Sequence, residues 1–397
     1  MRESMNYQFD VEMNRKNTAS FKWDHCNYIF GTDDLLPMAI ADMDIPAPPE
    51  VLAAIKERCE HPVLGYTIRT EKFYNAVKSW MKKRFNWEVK DEWILSTAGI
   101  IPALSYAVLS FTQPEDKILI QPPVYRPFFD AIEANHRIIV ENPLKEVHQG
   151  NKIHYEMDFE DLEEKLNGVK LMILCSPHNP VGRVWTIEEL TRLGKLCKEK
   201  GVIILSDEIH SDLVFKPNTH NPMASIKEFQ DISITCIAPS KTFNVAGLCA
   251  SAIIIPNQKV RENFSTMMFN CGVFLGNTIG NIALETCYTK CENWLEQLLE
   301  YLQERKTEIE TFFAENLPQL KIAQTEATFL TWIDFRNLNF KTHKELEDFL
   351  IYKAKLGFDT GAKFGAQGQH FMRLNFGCSK KMLREALIRL KTAVDQL

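Results

Sequence analysis

The stretch "LMILCSPHNPVGRVWTIEELTRLGKLCKEKGVIILSDEIH", residues 171–210, begins and ends near short apolar runs with a helical pattern between them. Thr186 and Glu189 have the spacing of a capping box, in which each side chain satisfies the other's backbone amide. Ile187, Leu190, Leu193 and Leu196 then share one side of a helix. Gly201 ends it, because glycine takes the left-handed backbone of a helix C-terminus without a Cβ clash. The flanking runs "LMILCS" (171–176) and "GVIILS" (201–206) are continuously apolar, as strands covered on both faces are. A strand, a helix and a second strand at this spacing make a βαβ unit.

Working outward, further short apolar runs alternate with amphipathic helices: "KILIQ" (117–121), "RIIVE" (137–141), "ITCIA" (234–238) and "ASAIII" (250–255). This order predicts an α/β fold with a mostly parallel sheet covered by helices. After residue 285 the texture changes to a long helix, "ENWLEQLLEYLQERKTEIETFF", then short strands such as "FLTWIDF" and "FMRLNF", and a closing helix. The chain therefore divides into an N-terminal arm, or part of the smaller domain, over 1–46, a large domain over 47–285 and a smaller α+β domain over 286–397. The arm has little regular period and is expected to wrap over another part of the molecule.

Composition narrows the partners. With 397 residues, 45% hydrophobic and 25% charged, the chain is long enough for a large core. A net charge of −6 without a basic block gives nucleic acid or an anionic membrane little to hold. The ten cysteines are scattered, and the close pair Cys287 and Cys291 lacks the neighbours that would complete a zinc site, so no metal is expected. The N-terminus has no signal-peptide core and no apolar run is long enough to span a bilayer, which points to the cytoplasm and a small-molecule ligand.

Ligands of an open parallel sheet bind where the strands end. Here "LMILCS" runs into "PHNPVG", "GVIILS" into "DEIHSD", "ITCIA" into "PSK" and "KILIQ" into "PPVYRPF". The loops deliver Asn179, Asp207, His210, Lys241 and Tyr125 to one edge. Taken singly, Asp207 reads better as a helix cap, Asn179 as a turn residue and Tyr125 as a core aromatic; Lys241, whose plain reading is a snorkelling side chain, is the exception. Together, a buried acid, amide and amine at adjacent strand ends call for a polar ligand.

Carbonyl capture by an amine needs such a set. A desolvated lysine keeps a neutral form that can make a Schiff base. A carboxylate can hold a pyridine nitrogen protonated, an amide can donate to a phenolate oxygen, and an aromatic side chain can stack on the ring. Pyridoxal 5'-phosphate offers all these handles and a phosphate besides. "STAGIIPALSYAVL" (96–109) places Gly99, Ile100 and Ile101 at the start of an apolar helix, where unpaired amides can receive an anion.

"SPHNPVG", "SDEIHSDLVF", "APSKTFNVAGL" and "FMRLNFGCS", in this order and spacing, resemble the fold-type I pyridoxal-phosphate enzymes of the class I/II aminotransferase superfamily. "ADMDIPAPPEV" (41–51), "GYT" (65–67) and "DEIH" (207–210) are similar to one branch, the carbon–sulfur β-lyases of the MalY/PatB cystathionine β-lyase group. The resemblance implies a fold-type I transferase fold, with a mostly parallel seven-stranded sheet in the large domain. It implies that Lys241 is the Schiff-base lysine and the base at Cα, that Asp207 pairs with the pyridine nitrogen, and that Asn179 and His210 lie at the ring oxygen. Tyr125 would stack on the ring, Ser240 with Gly99, Ile100 and Ile101 would receive the phosphate, and Arg373 would clamp the substrate carboxylate. Tyr66 would reach the phosphate of a neighbouring subunit, making the active unit a homodimer, and the bond Asn179–Pro180 would be cis.

Three positions depart from the wider pattern: His210 stands where many relatives have tyrosine, Ala238 where they have serine or threonine, and Cys249 where they have an arginine on the phosphate. The implied reaction is β-cleavage of a cystathionine- or cysteine-type amino acid to a thiol, pyruvate and ammonia. An aminotransferase shares every step up to the Cα carbanion and is the alternative; a non-catalytic regulatory protein on the same fold is the alternative from another class.

Overall fold

A computed structural model describes residues 6–397, so the part of the N-terminal arm over 1–5 lies outside the described residues. Residues 94–254 supply a seven-stranded sheet in the order Ile94–Leu95, Ala252–Ile254, Ser233–Ile237, Ile203–Asp207, Val169–Cys175, Lys117–Ile120 and Ile138–Glu141. The last five are mutually parallel. Ala252–Ile254 is antiparallel to both of its neighbours. The strand expected at 250–255 is therefore present but reversed. Only a single-turn helix, Pro239–Thr242, and a short 3-10 turn separate it from the strand before, and the chain doubles back.

Alternation along the strands sends side chains to both faces. Leu171, Ile173 and Cys175 pack with the helix Ile100–Phe111 on one side. Met172 and Leu174 pack with the helix Ile187–Lys200 on the other. That second helix has both halves of the expected capping box, and Gly201 closes it at φ 68°. Burial on both faces is the reason these strands carry no polar alternation.

A six-stranded sheet runs in the order Asp359–Thr360, Phe371–Asn375, Leu330–Asp334, Lys321–Ala323, Lys152–Glu156 and Lys145–Gln149. The last two strands are a hairpin from within residues 47–285, so the sheets do not divide where the chain was divided at 285. "KEVHQGNKIHYE" carries the signal in its alternation around a Gly150–Asn151 turn, with Gly150 at φ 63°. The long helix spans Glu292–Asn316 and the closing helix Lys380–Val394. Leu36–Pro37 pairs in parallel with Leu356–Gly357, which ties the N-terminal arm to the C-terminal part of the chain. No described helix is long and apolar enough to cross a membrane, and no described cluster of side chains could hold a metal ion.

Candidate active site

Because five strands are parallel, their C-terminal ends share one edge, and the reversed strand brings its N-terminal approach, Cys249 and Ala250, to the same edge. There a cavity of about 190 Å³ is lined by Gly99, Ile100, Ile101, Tyr125, Asn179, Asp207, His210, Ser240 and Lys241, together with Cys175, Cys249 and Ala41. Nine of the eleven residues singled out from the sequence thus meet in one place. Arg373 and Tyr66 are not on its wall.

Strand register explains the centre of the site. Cys175, Asp207 and Cys236 lie side by side on three neighbouring strands. Asp207 accepts the Ile209 amide at 3.2 Å. Loss of water, together with the charge of Glu208, pushes its carboxyl up to about 7, against the Ile209 amide and Lys241, which lower it. Lys241, on the next strand end, donates to the Ala41 carbonyl at 2.7 Å. Burial brings its amine down to about 8, with Arg373 adding to the effect and Asp42 and Asp207 opposing it. His210 is driven down to about 3 by burial and by the charges of Lys241 and Arg373, so its ring is neutral, and its Nδ1 is buried without a partner. Tyr125 is pushed up to about 12, chiefly by burial, and stays a phenol.

Asn179 follows a cis bond at Ser176–Pro177 and precedes the expected cis bond to Pro180. Its Oδ1 accepts from Arg373 at 2.8 Å, which leaves its Nδ2 hydrogens free to donate. Arg373 is buried behind it, paired with Asp359 on the adjacent strand and stacked 4.9 Å over Phe364. Asp359 carried no signal in the sequence, since a register of Asp359 opposite Arg373 exists only once the strands pair. Tyr66 is 97% exposed on a loop that bridges to Gly276.

The helix Ile100–Phe111 begins at Gly99, at φ 97°, with no side chain capping its first amides. A side chain at Gly99 would meet open space, so glycine is required there by the backbone and not by crowding. The set fits pyridoxal phosphate: a depressed amine, an acid short of a cation, an uncapped helix start beside Ser240, and an orphaned imidazole nitrogen.

The family model described as aminotransferase class I and II matches residues 33–390. Cystathionine beta-lyase PatB of Bacillus subtilis is 44% identical over 390 residues, 98% of this chain and 100% of that protein. Protein MalY of Escherichia coli is 30% identical, covering 98% and 99% of the two chains. Cystalysin from Treponema denticola, whose crystal structure contains a pyridoxal 5'-phosphate cofactor, superposes with a TM-score of 0.94 at 38% identity over 99% of this chain and 100% of that one. A parallel sheet whose strand ends gather a lysine with a buried aspartate and a buried asparagine, and a family match spanning nearly the whole sequence, lead to one conclusion: the chain belongs to the class I and II aminotransferase family and has its fold-type I architecture.

Proposed function

We propose that this chain is a pyridoxal-phosphate-dependent carbon–sulfur β-lyase acting on cystathionine- or cysteine-type amino acids. The observation that carries the reading is Lys241, whose amine loss of water brings down to about 8, in one cavity with Asp207 and Asn179. The likeness to a cystathionine beta-lyase along the whole chain supports the sulfur substrate over other amino acids.

The cofactor would have Asp207 at its ring nitrogen, Asn179 and His210 at its ring oxygen, and Tyr125 at its ring face. Its phosphate would rest on the amides of Gly99, Ile100 and Ile101 with Ser240. When bound, it supplies an aldehyde for amine capture and a ring that spreads the electron pair left at Cα. Lys241, neutral near its depressed value, takes the Cα proton. Arg373 uses two of its donors on Asn179 and Asp359, and its remaining N–H groups would serve a substrate carboxylate. Holding that carboxylate fixes which Cα bond faces Lys241. Tyr125, kept protonated by burial, and Lys241, once it carries the Cα proton, are the two acids that can meet the departing sulfur.

With Cys249 in place of an arginine, the phosphate needs another donor, and Tyr66 from a second copy of the chain is the candidate. The exposed apolar residues Val63, Leu64, Ile68, Phe269 and Phe274 around Tyr66 support a homodimer closing over that face. We assign residues 47–285 to the cofactor domain and 286–397, with the 145–156 hairpin, to the smaller one, and the described residues of the 1–46 segment to an arm or part of the smaller domain, to which Leu36–Pro37 pairs. The unpaired, scattered cysteines support a reducing, cytoplasmic setting.

Purified enzyme given cystathionine without a keto acid should release homocysteine, pyruvate and ammonia. Turnover that needs an added keto acid, with the cofactor left in its amine form, would replace this reading with an aminotransferase.

A further inference from the structure

The motif "AIADMDI" (39–45) is a strap that borders the cavity through Ala41, and one of its residues stands in a conformation that side chains of its kind avoid. Ile40 has φ 49°, in the left-handed region, where a β-branched residue is an outlier. Such a conformation persists only where the surroundings over-determine it, and that concentrates at working sites. The surroundings here are specific. Asn375 donates its Nδ2 to the carbonyls of Ile40 and Asp42, both at 2.7 Å, and the Asp42 amide turns back onto the Ile40 carbonyl at 2.9 Å. Asn244, three residues beyond Lys241, accepts the Met43 amide at 3.0 Å and donates to the carbonyls of Met43 at 2.9 Å and Ile45 at 2.7 Å.

The far side of the strap is pinned by charge. Asp44, nearly fully buried, accepts from Lys22 at 2.5 Å and from Arg15 and Trp23 at 2.7 Å each. Arg15 grips Asp42 with both ends of its fork, at 2.7 and 3.1 Å. All of these anchors leave the Ala41 carbonyl to accept from the Nζ of Lys241 at 2.7 Å. Ala41 is the one strap residue on the cavity wall.

We propose that this strap is a positioning device for Lys241: the strained turn at Ile40 presents the Ala41 carbonyl as the acceptor that aims the lysine amine and holds it once it is protonated. The inference rests on the reading of Lys241 as the base at Cα. A neutral amine that gives one N–H to a fixed carbonyl has its lone pair restricted to the remaining directions. In the proton transfer the substrate's Cα–H bond breaks, its electron pair stays with the substrate, and a new N–H bond forms on Nζ. The ammonium so made is held by the same carbonyl more strongly than the amine was, because a charged donor makes the stronger hydrogen bond. An acceptor already in place when charge develops needs no rearrangement at that moment. Asn375 lies two residues from Arg373 on the same strand face, so the strap also ties the base to the carboxylate clamp.

The test is Ile40→Gly, which releases the turn without deleting a contact to the cavity. In the holoenzyme with cystathionine, kcat should fall about tenfold while KM stays within about twofold, and the Cα-deuterium isotope effect on kcat should be at least as large as in the wild type. The variant should still unfold in one cooperative transition, since glycine takes the left-handed φ without strain. Ile40→Asn, which takes the left-handed conformation more readily than other side chains, should recover most of kcat. Apart from turnover, apo Ile40→Gly mixed with pyridoxal phosphate should gain the visible absorbance of the lysine-bound cofactor several-fold more slowly than wild type. A folded Ile40→Gly enzyme with wild-type kcat, an unchanged rate of cofactor capture, or an equal loss in the Gly and Asn variants would each overturn the inference. Borohydride labelling of a lysine other than Lys241 would instead overturn the reading beneath it.

Discussion

The charges around Arg183 and those around Lys241 and Asp207 are built to opposite rules. Around Arg183, every charge has been met: the guanidinium donates to the Tyr155 and Val184 carbonyls, to Glu326 at 2.6 Å and to both oxygens of Glu189 at 2.8 and 2.9 Å, and it lies 4.9 Å over the Trp185 ring. Around Lys241 and Asp207, the amine has a carbonyl and the acid has an amide, and neither has an opposite charge in hydrogen-bond contact. The outcome is visible in their protonation. Lys241 and Asp207 are displaced toward neutrality, to about 8 and about 7. A satisfied cluster holds elements together; an unsatisfied one is kept for something that arrives later.

Removing a member of each cluster should therefore break different things. Lys241→Ala should lower pyruvate release by about 10⁴-fold or more, since it deletes both the capturing amine and the base, while thermal stability of the apo protein is kept. A variant retaining a tenth of the activity would dissolve the contrast. Arg183→Met should do the reverse. It strands Glu326 and Glu189 without a cation, and a broken buried pair costs about 3–5 kcal/mol, read as a lower denaturation midpoint, with turnover per folded molecule changed by less than about fivefold.

The acid of the unsatisfied cluster gives a pH signature. Asp207 is raised in the folded chain, so between about 4 and 7 the native state binds more protons than the unfolded one. Apo stability should fall as pH rises through that window, by at most one proton's worth, roughly 1.4 kcal/mol per pH unit. Asp207→Asn should remove that component of the slope, as should saturation with pyridoxal phosphate. A slope identical in wild type and variant would show that Asp207 titrates normally. The smallest effect belongs to Tyr66, which stands in neither cluster: with the proposed second copy supplying it, Tyr66→Phe should loosen cofactor binding about tenfold, the worth of one hydrogen bond to a charged group, read by equilibrium dialysis. Unchanged retention would remove the second copy from the site.

How much of this was written in the sequence depends on the range of the interaction. The βαβ unit at 171–210 was legible because a capping box, a helix period and a glycine stop all act within a few residues of one another. The strand-end residues were legible too, because parallel strands must end on a common edge wherever the sheet sits, and that rule alone gathers Asn179, Asp207 and Lys241. The hairpin at 145–156 had a signal, alternation about a Gly–Asn turn, but its sheet partner, Lys321–Ala323, is 165 or more residues along the chain. Nothing local states that pairing.

By itself, then, the sequence determined the local elements, their order and the chemical identity of the groups at the strand ends, because these follow from backbone sterics and side-chain periodicity over short distances. The tertiary structure alone decided which charges are met and which are left. Asp359 closes on Arg373 only when two strands register, Asp44 gathers Lys22, Arg15 and Trp23 only when the arm folds back, and Ala41 reaches Lys241 across 200 residues of chain. Burial and partnership set the protonation of a group, and both are properties of the assembled interior that no segment of the chain possesses alone.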